Sequence, residues 1–246
     1  MHDLTLIIPA KKEVESLPVF LKELKNYKCK KFIVLQKEDL ETKKAIKKIK
    51  NIKIVEQVNN GYGNALIKGI NSVKTKYFCI INADGAMDPK YLDKMRKLCE
   101  NKDFVFASRY QKPGGGSDDD TLVTLIGNYF FTFVGNFLFN LKISDILYTY
   151  ILGKTSSFKN LKLKNFDFRI CVEIPIKAKL QNMVYSCLPS YERNRIGGIK
   201  KVNALKDGFL ILTEIIKYFL KIKKILIFNS KYVRNIKSFE SNKSFL

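Results

Sequence analysis

Short apolar runs alternate with helix-like segments over the first part of the chain. The strand-like runs are Leu4–Pro9, Phe32–Leu35, Ile52–Val55, Tyr77–Ile81 and Phe104–Ala107. Helical spacing predicts helices at Ser16–Tyr27, Glu41–Lys50 and Asn64–Val73, and another helix that begins at Pro89, because proline suits a first turn. Nearly continuous apolar strands joined by helices predict an α/β fold of three layers, with a mostly parallel central sheet.

The second half of the chain has a different pattern. Leu122–Leu141 carries no charge and is long enough to cross a bilayer, although glycines and asparagines interrupt it. Three interpretations remain open for it: a spanning helix, a bent or interfacial helix pair, and a buried core segment. Phe166–Leu180 predicts a helix that Pro175 kinks or restarts, and Val184–Tyr191 predicts a last strand.

The C-terminal part predicts an amphipathic helix. Phe209–Phe228 is apolar, with Lys217, Lys221 and Lys224 at helical spacing along one side. Such a helix is typical of a membrane interface, and the basic tail beyond it would be attracted to anionic lipid. The alternative is a helix packed on the domain, followed by a solvated tail. We expect a domain over residues 1–205 and a basic helix and tail over residues 206–246.

Net charge and residue counts limit the partners and the catalytic chemistry that this chain can have. The 45 basic and 23 acidic residues give a net charge of +22, which favours anionic partners, although a biased nucleotide composition also enriches lysine. No nucleic-acid-binding module is recognisable, so we expect no nucleic-acid partner. The one histidine, His2, excludes Ser-His-Asp and histidine-zinc chemistry. The five cysteines have no metal-binding spacing and predict reduced thiols in the cytoplasm.

Polar residues follow several of the predicted strands, where parallel sheets bind ligands. Asp84 lies in the turn Asn82–Gly85 and is suited to a hard divalent cation, which takes one or two carboxylates and fills its other positions with phosphate and water. An aspartate in a turn is also a common turn-former, and Asp88 before Pro89 suits a helix N-cap. Arg109 precedes a glycine-rich turn and offers paired donors to phosphate.

Five segments, in order over residues 4–205, resemble the family 2 glycosyltransferases with a GT-A fold, especially the dolichol- or polyprenyl-phosphate sugar synthases. Leu6–Glu13 resembles the opening strand and its "IPAYNE" turn, and Asn60–Ala65 resembles the "NxGxGxA" turn. Ile81–Gly85 lies where the family has its DxD motif. Ala107–Tyr110 matches "GSRY", and Arg193–Lys201 resembles "RxRxGGxSK".

Three departures from the family pattern indicate a divergent subgroup. Asn82 replaces the first aspartate of DxD, which predicts weaker metal binding. Gln36–Asp39 stands where the family has "DDGS", and Asp145–Thr149 keeps only the aspartate of "DxTSG".

The resemblance implies a role for each matching residue. The expected catalytic residues are Asp84, Arg109 and Asp145. The expected nucleotide-binding residues are Pro9, Ala10, Glu13, Asp39, Gly61, Gly63, Asn82 and Ala83. Mg²⁺ or Mn²⁺ would be held by Asp84 and Asn82, and the acceptor phosphate by Arg109, Arg193, Arg195 and Lys201. Residues 1–112 would form the nucleotide-sugar half, and residues 113–205 the acceptor half that faces the membrane.

The implied reaction is an inverting transfer of a sugar from a nucleotide-diphosphate sugar to polyprenyl phosphate, on the cytoplasmic face of the membrane. An ionised phosphate needs no strong base. If a sugar hydroxyl of a lipid-linked or surface glycan is the acceptor instead, Asp145 or one of Asp118–Asp120 would have to serve as base. A non-catalytic homologue that binds nucleotide-sugar or lipid phosphate is a further alternative.

Overall fold

The computed structural model describes residues 1–198 and 201–243, with side chains as far as residue 224. Its first half alternates strands and helices: β1 Leu4–Pro9, α1 Ser16–Glu23, β2 Lys30–Gln36, α2 Leu40–Ile46, β3 Lys53–Gln57, α3 Tyr62–Asn71, β4 Tyr77–Ile80, α4 Leu92–Leu98 and β5 Phe104–Ser108. The second half contains β6 Gly116–Ser117, α5 Leu122–Phe139, β7 Ile151–Lys154, α6 Thr155–Asn160, α7 Ile170–Leu180, β8 Tyr185–Pro189, β9 Tyr191–Glu192 and α8 Ala204–Lys243.

Seven of these strands form one sheet in the order β3-β2-β1-β4-β7-β5-β8. Every neighbouring pair is parallel except the two pairs made by β7, which runs antiparallel to β4 and β5. Apolar side chains alternate between two cores, so that Ile7 and Phe78 face one layer of helices while Leu6 and Cys79 face the other. The predicted three-layer α/β fold with a mostly parallel sheet is confirmed.

The sequence pattern missed β7 and α6. β7 is only four residues long, and its first three residues are buried although their side chains alternate between the two faces of the sheet. It therefore lacks the polar–apolar alternation that marks a half-exposed strand, and a short apolar run is ambiguous between helix and strand. β7 places the segment that precedes it between the ends of β4 and β5.

α5 is a single continuous helix, so the expectation of a bent helix pair was wrong. A capping box between Thr121 and Thr124 begins it, and Asn140, in the left-handed conformation with φ 51°, ends it. Only 17% of the helix is buried, which also overturns the interpretation as a core segment. Among the described residues it is the one helix whose length and apolarity would suffice to cross a membrane.

α8 is longer than predicted and packs on the domain at its start. Ile211 and Ile215 are buried in the core, while Phe209 and Leu220 on other sides of the helix are exposed. Glu214 accepts a hydrogen bond from the Asn165 side chain at 3.1 Å. One side of this helix therefore packs on the domain, and another side is exposed.

Two glycines let the chain pass closely over the start of α3. Gly61 has φ 118°, and the Asn64 N–H donates to the carbonyl of Phe166 at 3.0 Å. A Cβ at Gly63 would lie 2.3 Å from the carbonyl oxygen of Asn165. The segment between α6 and α7 therefore covers this turn, so Gly61 and Gly63, expected to bind nucleotide, lie beneath backbone.

We expect Gly63→Ala to destabilise the protein by about 2 kcal/mol. The added methyl group would clash with backbone atoms, which cannot move aside as a flexible side chain can. Gly127→Ala is the matched control, since a Cβ at this other helical glycine meets nothing within 4 Å. The control should gain roughly 0.5–1 kcal/mol from helix propensity. Thermal unfolding of both variants checks the prediction; equal melting temperatures would contradict it.

Candidate active site

The candidate site lies at the carboxyl ends of β4 and β5, beneath the segment that follows β9. Asp84 follows β4 in a turn, where its Oδ1 accepts the Ala86 N–H at 3.1 Å. Its carbonyl oxygen accepts the N–H of Ile196 at 2.8 Å, and its Oδ2 lies 3.8 Å from Nη1 of Arg195. The backbone therefore fixes the Asp84 carboxylate, and the late basic segment covers it.

The Asp84 carboxylate is held at an electrostatic cost. Burial raises its pKa, the Ala86 N–H and Arg195 lower it, and the nearby carboxylates Glu13 and Asp119 raise it; the net shift is upward. Among the described residues, no three Asp, Glu, His or Cys side chains are arranged to hold a metal ion. A cation at Asp84 would thus depend on one carboxylate, with phosphate and water as its other ligands.

Asn82 is tied to a hydrogen-bonded tyrosine. Its Oδ1 accepts from the Tyr62 hydroxyl at 3.1 Å, and Tyr62 also pairs with the Thr149 hydroxyl at 2.6 Å. The Tyr62 ring stacks on Phe168 at 5.2 Å. The structure thus commits the amide oxygen of Asn82 to a side-chain network beside Asp84, where the sequence suggested a metal ligand.

Arg109 is buried in a cluster of carboxylates. Its Nε and Nη2 donate to the two oxygens of Asp145 at 2.7 and 3.0 Å. Its Nη1 donates to Glu192 at 3.2 Å and lies 3.5 Å from Asp120. Burial alone lowers the pKa of Arg109, but Asp145 and Glu192 raise it overall, so the guanidinium stays charged. Burial raises the pKa of Glu192.

This pairing changes the role expected for Arg109. The guanidinium has carboxylate partners on all three of its nitrogens, and its side chain is only 9% exposed. Asp145 is fully enclosed beneath it. In this arrangement Arg109 and Asp145 support the site as an ion pair, and neither is placed to meet an acceptor phosphate.

Each of Arg193, Arg195 and Lys201 is paired with an acidic residue. Arg193 binds Glu23 at 2.9 and 3.1 Å and donates to the carbonyl of Gly85 at 2.7 Å, which braces the Asp84 turn. Arg195 binds Asp119 at 2.7 and 3.2 Å. Lys201 pairs with Glu13.

The turn after β1 forms the other side of the site. The Ser16 hydroxyl and Lys201 hold the buried carboxylate of Glu13. Asp39 accepts the Lys12 N–H at 2.8 Å and the Thr42 N–H at 3.2 Å, so it caps α2 and fixes this turn. The structure therefore brings Glu13, Asp84, Arg195 and Lys201 together. Pro9 ends β1, Ala10 follows it, and Ala83 is buried beside Asp84.

Several residues of the site escaped the sequence interpretation. The sequence offers Asp118–Asp120 only as alternative bases for a hydroxyl acceptor, whereas in the structure these three aspartates pair with Tyr191, Arg195 and Tyr110 respectively. Glu192 belongs to no recognisable sequence motif, although it directly precedes the Arg193–Lys201 segment. Asp88 accepts the Lys90 N–H at 2.9 Å, as predicted for a helix cap.

Comparison with known proteins agrees with this geometry. The sequence model of glycosyl transferase family 2 matches residues 5–162. The chain therefore belongs to glycosyl transferase family 2 and is a glycosyltransferase. No curated protein shows significant sequence similarity to it.

Solved structures match the fold over most of the chain. Glucosyl-3-phosphoglycerate synthase from Mycobacterium tuberculosis, in complex with phosphoglyceric acid, is 12% identical with a TM-score of 0.63, covering 89% of this chain and 79% of that one. Its complex with Mn²⁺, UDP and glucosyl-3-phosphoglycerate gives 11% identity and a TM-score of 0.62, covering 89% and 78%. A further mycobacterial protein gives 8% identity and a TM-score of 0.62, covering 87% and 74%. The likeness establishes the GT-A fold.

We expect Asp84→Asn to raise the melting temperature near about pH 7.5, because it removes an ionised carboxylate whose folded-state pKa burial has raised. Such a group lowers stability above its folded pKa and ceases to do so as the pH falls through that value. The gain should therefore shrink toward about pH 4. Thermal unfolding across pH measures it, and a lower melting temperature at about pH 7.5 would refute it.

Asp39→Asn is the control, for which we expect the melting temperature to change in the opposite direction. Burial favours a raised pKa for Asp39, but the N–H groups of Lys12 and Thr42 outweigh it and lower the pKa. This stabilisation is present above the unfolded pKa and fades as the pH falls. The variant should lose about 1 kcal/mol near neutral pH, or roughly 2–4 °C, and less in acid.

Proposed function

We propose that this chain transfers a sugar from a nucleotide-diphosphate sugar to polyprenyl phosphate at a membrane surface. The observation that carries the proposal is the buried, backbone-fixed carboxylate of Asp84 beside Glu13 and Asp119, at the sheet edge where this family's fold binds its donor. The recognised family sets the reaction class, and the surface of the chain suggests the acceptor.

Asp84 fits a divalent metal ligand. Its second oxygen lies 3.8 Å from the guanidinium of Arg195, so a positive charge balances it. The relatives were crystallised with UDP and Mn²⁺ or Mg²⁺. Bound Mg²⁺ or Mn²⁺ would neutralise charge on the leaving diphosphate. Asn82 keeps its place beside this position through Tyr62.

The donor's nucleoside would lie against the turn after β1. Pro9, Ala10, Glu13 and Asp39 line that turn, and Thr42 links the last two: it accepts the Glu13 N–H at 3.1 Å and donates its own N–H to Asp39. Ala83 precedes Asp84, and its methyl side chain has no reactive group. Gly61 and Gly63 would act indirectly: without side chains, they leave space for the segment between α6 and α7, whose Phe168 packs on Tyr62.

Arg195 and Lys201 are the residues available to an acceptor phosphate. Their side chains are 23% and 37% exposed, against 9% for Arg109. Each can exchange a carboxylate oxygen for a phosphate oxygen as substrates enter. Arg193 braces the Asp84 turn. An acceptor phosphate is already ionised, so attack on the sugar carbon, with inversion, needs no histidine.

The outer surface supports a membrane acceptor. Leu122, Ile126, Phe133 and Phe137 of α5 are all more than 60% exposed. An exposed apolar patch of this kind marks an interaction site. α8 adds exposed Phe209 and Leu220 beside basic residues, an arrangement that suits an anionic membrane surface. We place the protein on the cytoplasmic face as a peripheral enzyme, in cell-envelope synthesis.

A hydroxyl acceptor is the second candidate, because the structure brings Asp119 and Asp120 into the site, where a base would be required. A small phosphorylated acceptor is the third, since the relatives bind phosphoglyceric acid. Acceptor assays with lipid extract, glycan and phosphoglyceric acid separate the three candidates.

The activity test uses labelled nucleotide-sugars with Mn²⁺ or Mg²⁺ and a membrane lipid extract. We expect label in the lipid fraction, dependent on metal, and a loss of about 100-fold or more in Asp84→Asn, because a charge-stabilising group is removed. Lys48→Asn in the exposed region after α2 is the control and should keep full activity. Transfer that does not respond to metal or to Asp84→Asn would refute the metal role; absence of transfer to any acceptor would favour a non-catalytic homologue.

The membrane test is flotation with anionic liposomes. Phe133→Gln with Phe137→Gln should weaken partitioning at least about tenfold, because two exposed rings, 67% and 77% accessible, are lost from the bilayer contact. Leu40→Gln with Val58→Gln is the matched control, since these exposed apolar residues belong to the α2–β3 end of the sheet. Equal flotation of both double variants would contradict an α5 contact.

Truncation after Lys224 tests the charge contribution. It removes four basic residues, Lys231, Arg234, Lys237 and Lys243, and spares the buried Ile211 and Ile215. Flotation of the truncated protein should depend less on salt than that of the full chain.

A further inference from the structure

Tyr148 has a buried hydroxyl that no protein group satisfies. The residue is 4% exposed, and its oxygen has no hydrogen-bond partner. A buried hydroxyl without a partner costs about 1–3 kcal/mol, so each such group in a folded protein requires an explanation. Tyr148 belongs to the Asp145–Thr149 segment, in which the family resemblance keeps only the aspartate.

The position of Tyr148 places it between the two parts of the site. β7 runs antiparallel between β4 and β5, and Ile151 at its start pairs with Phe106 of β5. Tyr148 therefore precedes β7 at the edge where Asp84 follows β4 and Arg109 follows β5. The guanidinium of Arg109 lies 4.6 Å from the centre of its ring.

The charged groups around Tyr148 are those of the candidate site. Glu192, Arg109, Asp145 and Asp84 are its electrostatic neighbours, and burial raises the pKa of the phenol, so the hydroxyl keeps its proton. Arg109 and Asp145 already satisfy each other. The hydroxyl thus remains a donor without a protein partner, on a ring that lies against Arg109 and has Asp84 among its charged neighbours.

Other buried hydroxyls show why the location matters. Tyr150, two residues further on, donates to the carbonyl of Asp88 at 2.9 Å. Tyr77 also lacks a partner, but it begins β4 at the opposite end of that strand, beneath Arg96. Tyr148 is thus a buried donor that lacks a partner and also adjoins the site.

We propose that the Tyr148 hydroxyl binds the transferred sugar of the donor and helps to select it. The inference rests on the proposed function, because it assumes that a nucleotide-sugar lies at Asp84. A sugar ring between the diphosphate and the acceptor side presents hydroxyl oxygens to this donor. A site built to hydrogen-bond a substrate hydroxyl discriminates strongly against an analogue that lacks it.

The test compares Tyr148→Phe with the wild type by calorimetric titration in Mn²⁺. The ligands are UDP-glucose and other nucleotide-sugars, each paired with its own nucleoside diphosphate. For the nucleotide-sugar that the wild type binds best, we expect the Kd of the variant to rise about tenfold. The Kd of the matching diphosphate should not change. The melting temperature of the empty protein should stay equal or rise, because no hydrogen bond is lost.

Two tyrosines serve as controls. Tyr150→Phe should lower the melting temperature, since it leaves a carbonyl unpaired, and should not change the ratio of the two Kd values. Tyr77→Phe should change neither quantity. If Tyr148→Phe binds the nucleotide-sugar and the diphosphate with wild-type Kd values, this inference is wrong but the proposed function stands. A melting temperature of Tyr148→Phe several degrees below that of the wild type would have the same consequence. Failure of the wild type to bind any nucleotide-sugar would overturn the proposed function with it.

Discussion

The enclosed ion pair between Arg109 and Asp145 is the interaction on which the second half of the structure depends. Asp145 also accepts the backbone N–H of Arg109 at 3.2 Å, so one carboxylate fixes both the end of β5 and the guanidinium. Glu192 joins β9 to the same group and accepts from Ser117 of β6 at 2.6 Å. Loss of one partner from such a cluster leaves a buried charge and costs about 3–5 kcal/mol.

The same sheet shows what a sequence pattern can and cannot predict. β1, β4 and β5 are apolar runs between helices, so their order and the turn at Asp84 followed from periodicity and resemblance. β7 did not, because it is short and its two faces lie in the two cores, so it has no polar face. The role of Arg109 did not follow either: a guanidinium after a strand fits a phosphate as well as it fits Asp145, and only the fold brings Asp145 and Glu192 to it.

α8 is connected to the donor side by polar contacts. Glu173 accepts the N–H of Asn165 at 2.9 Å and the Tyr218 hydroxyl at 3.1 Å. Asn165 begins the segment that covers Gly61 and Gly63 at the start of α3, and Phe168 of the same region stacks on Tyr62. The helix that we place at the membrane therefore packs against the residues that orient Asn82 beside Asp84.

Under the proposed function, this arrangement explains how a site with a single carboxylate for the metal would be selective. The negative charges of Glu13, Asp84 and Asp119 lie close together, and Lys201 and Arg195 balance them. A ligand that brings its own cation and its own phosphates can exchange with these pairs without leaving a buried charge unpaired. A neutral sugar brings neither cation nor phosphate. Under the proposed function we therefore expect tight binding to require both the metal and the diphosphate, and the sugar to contribute through the Tyr148 hydroxyl, which has no protein partner.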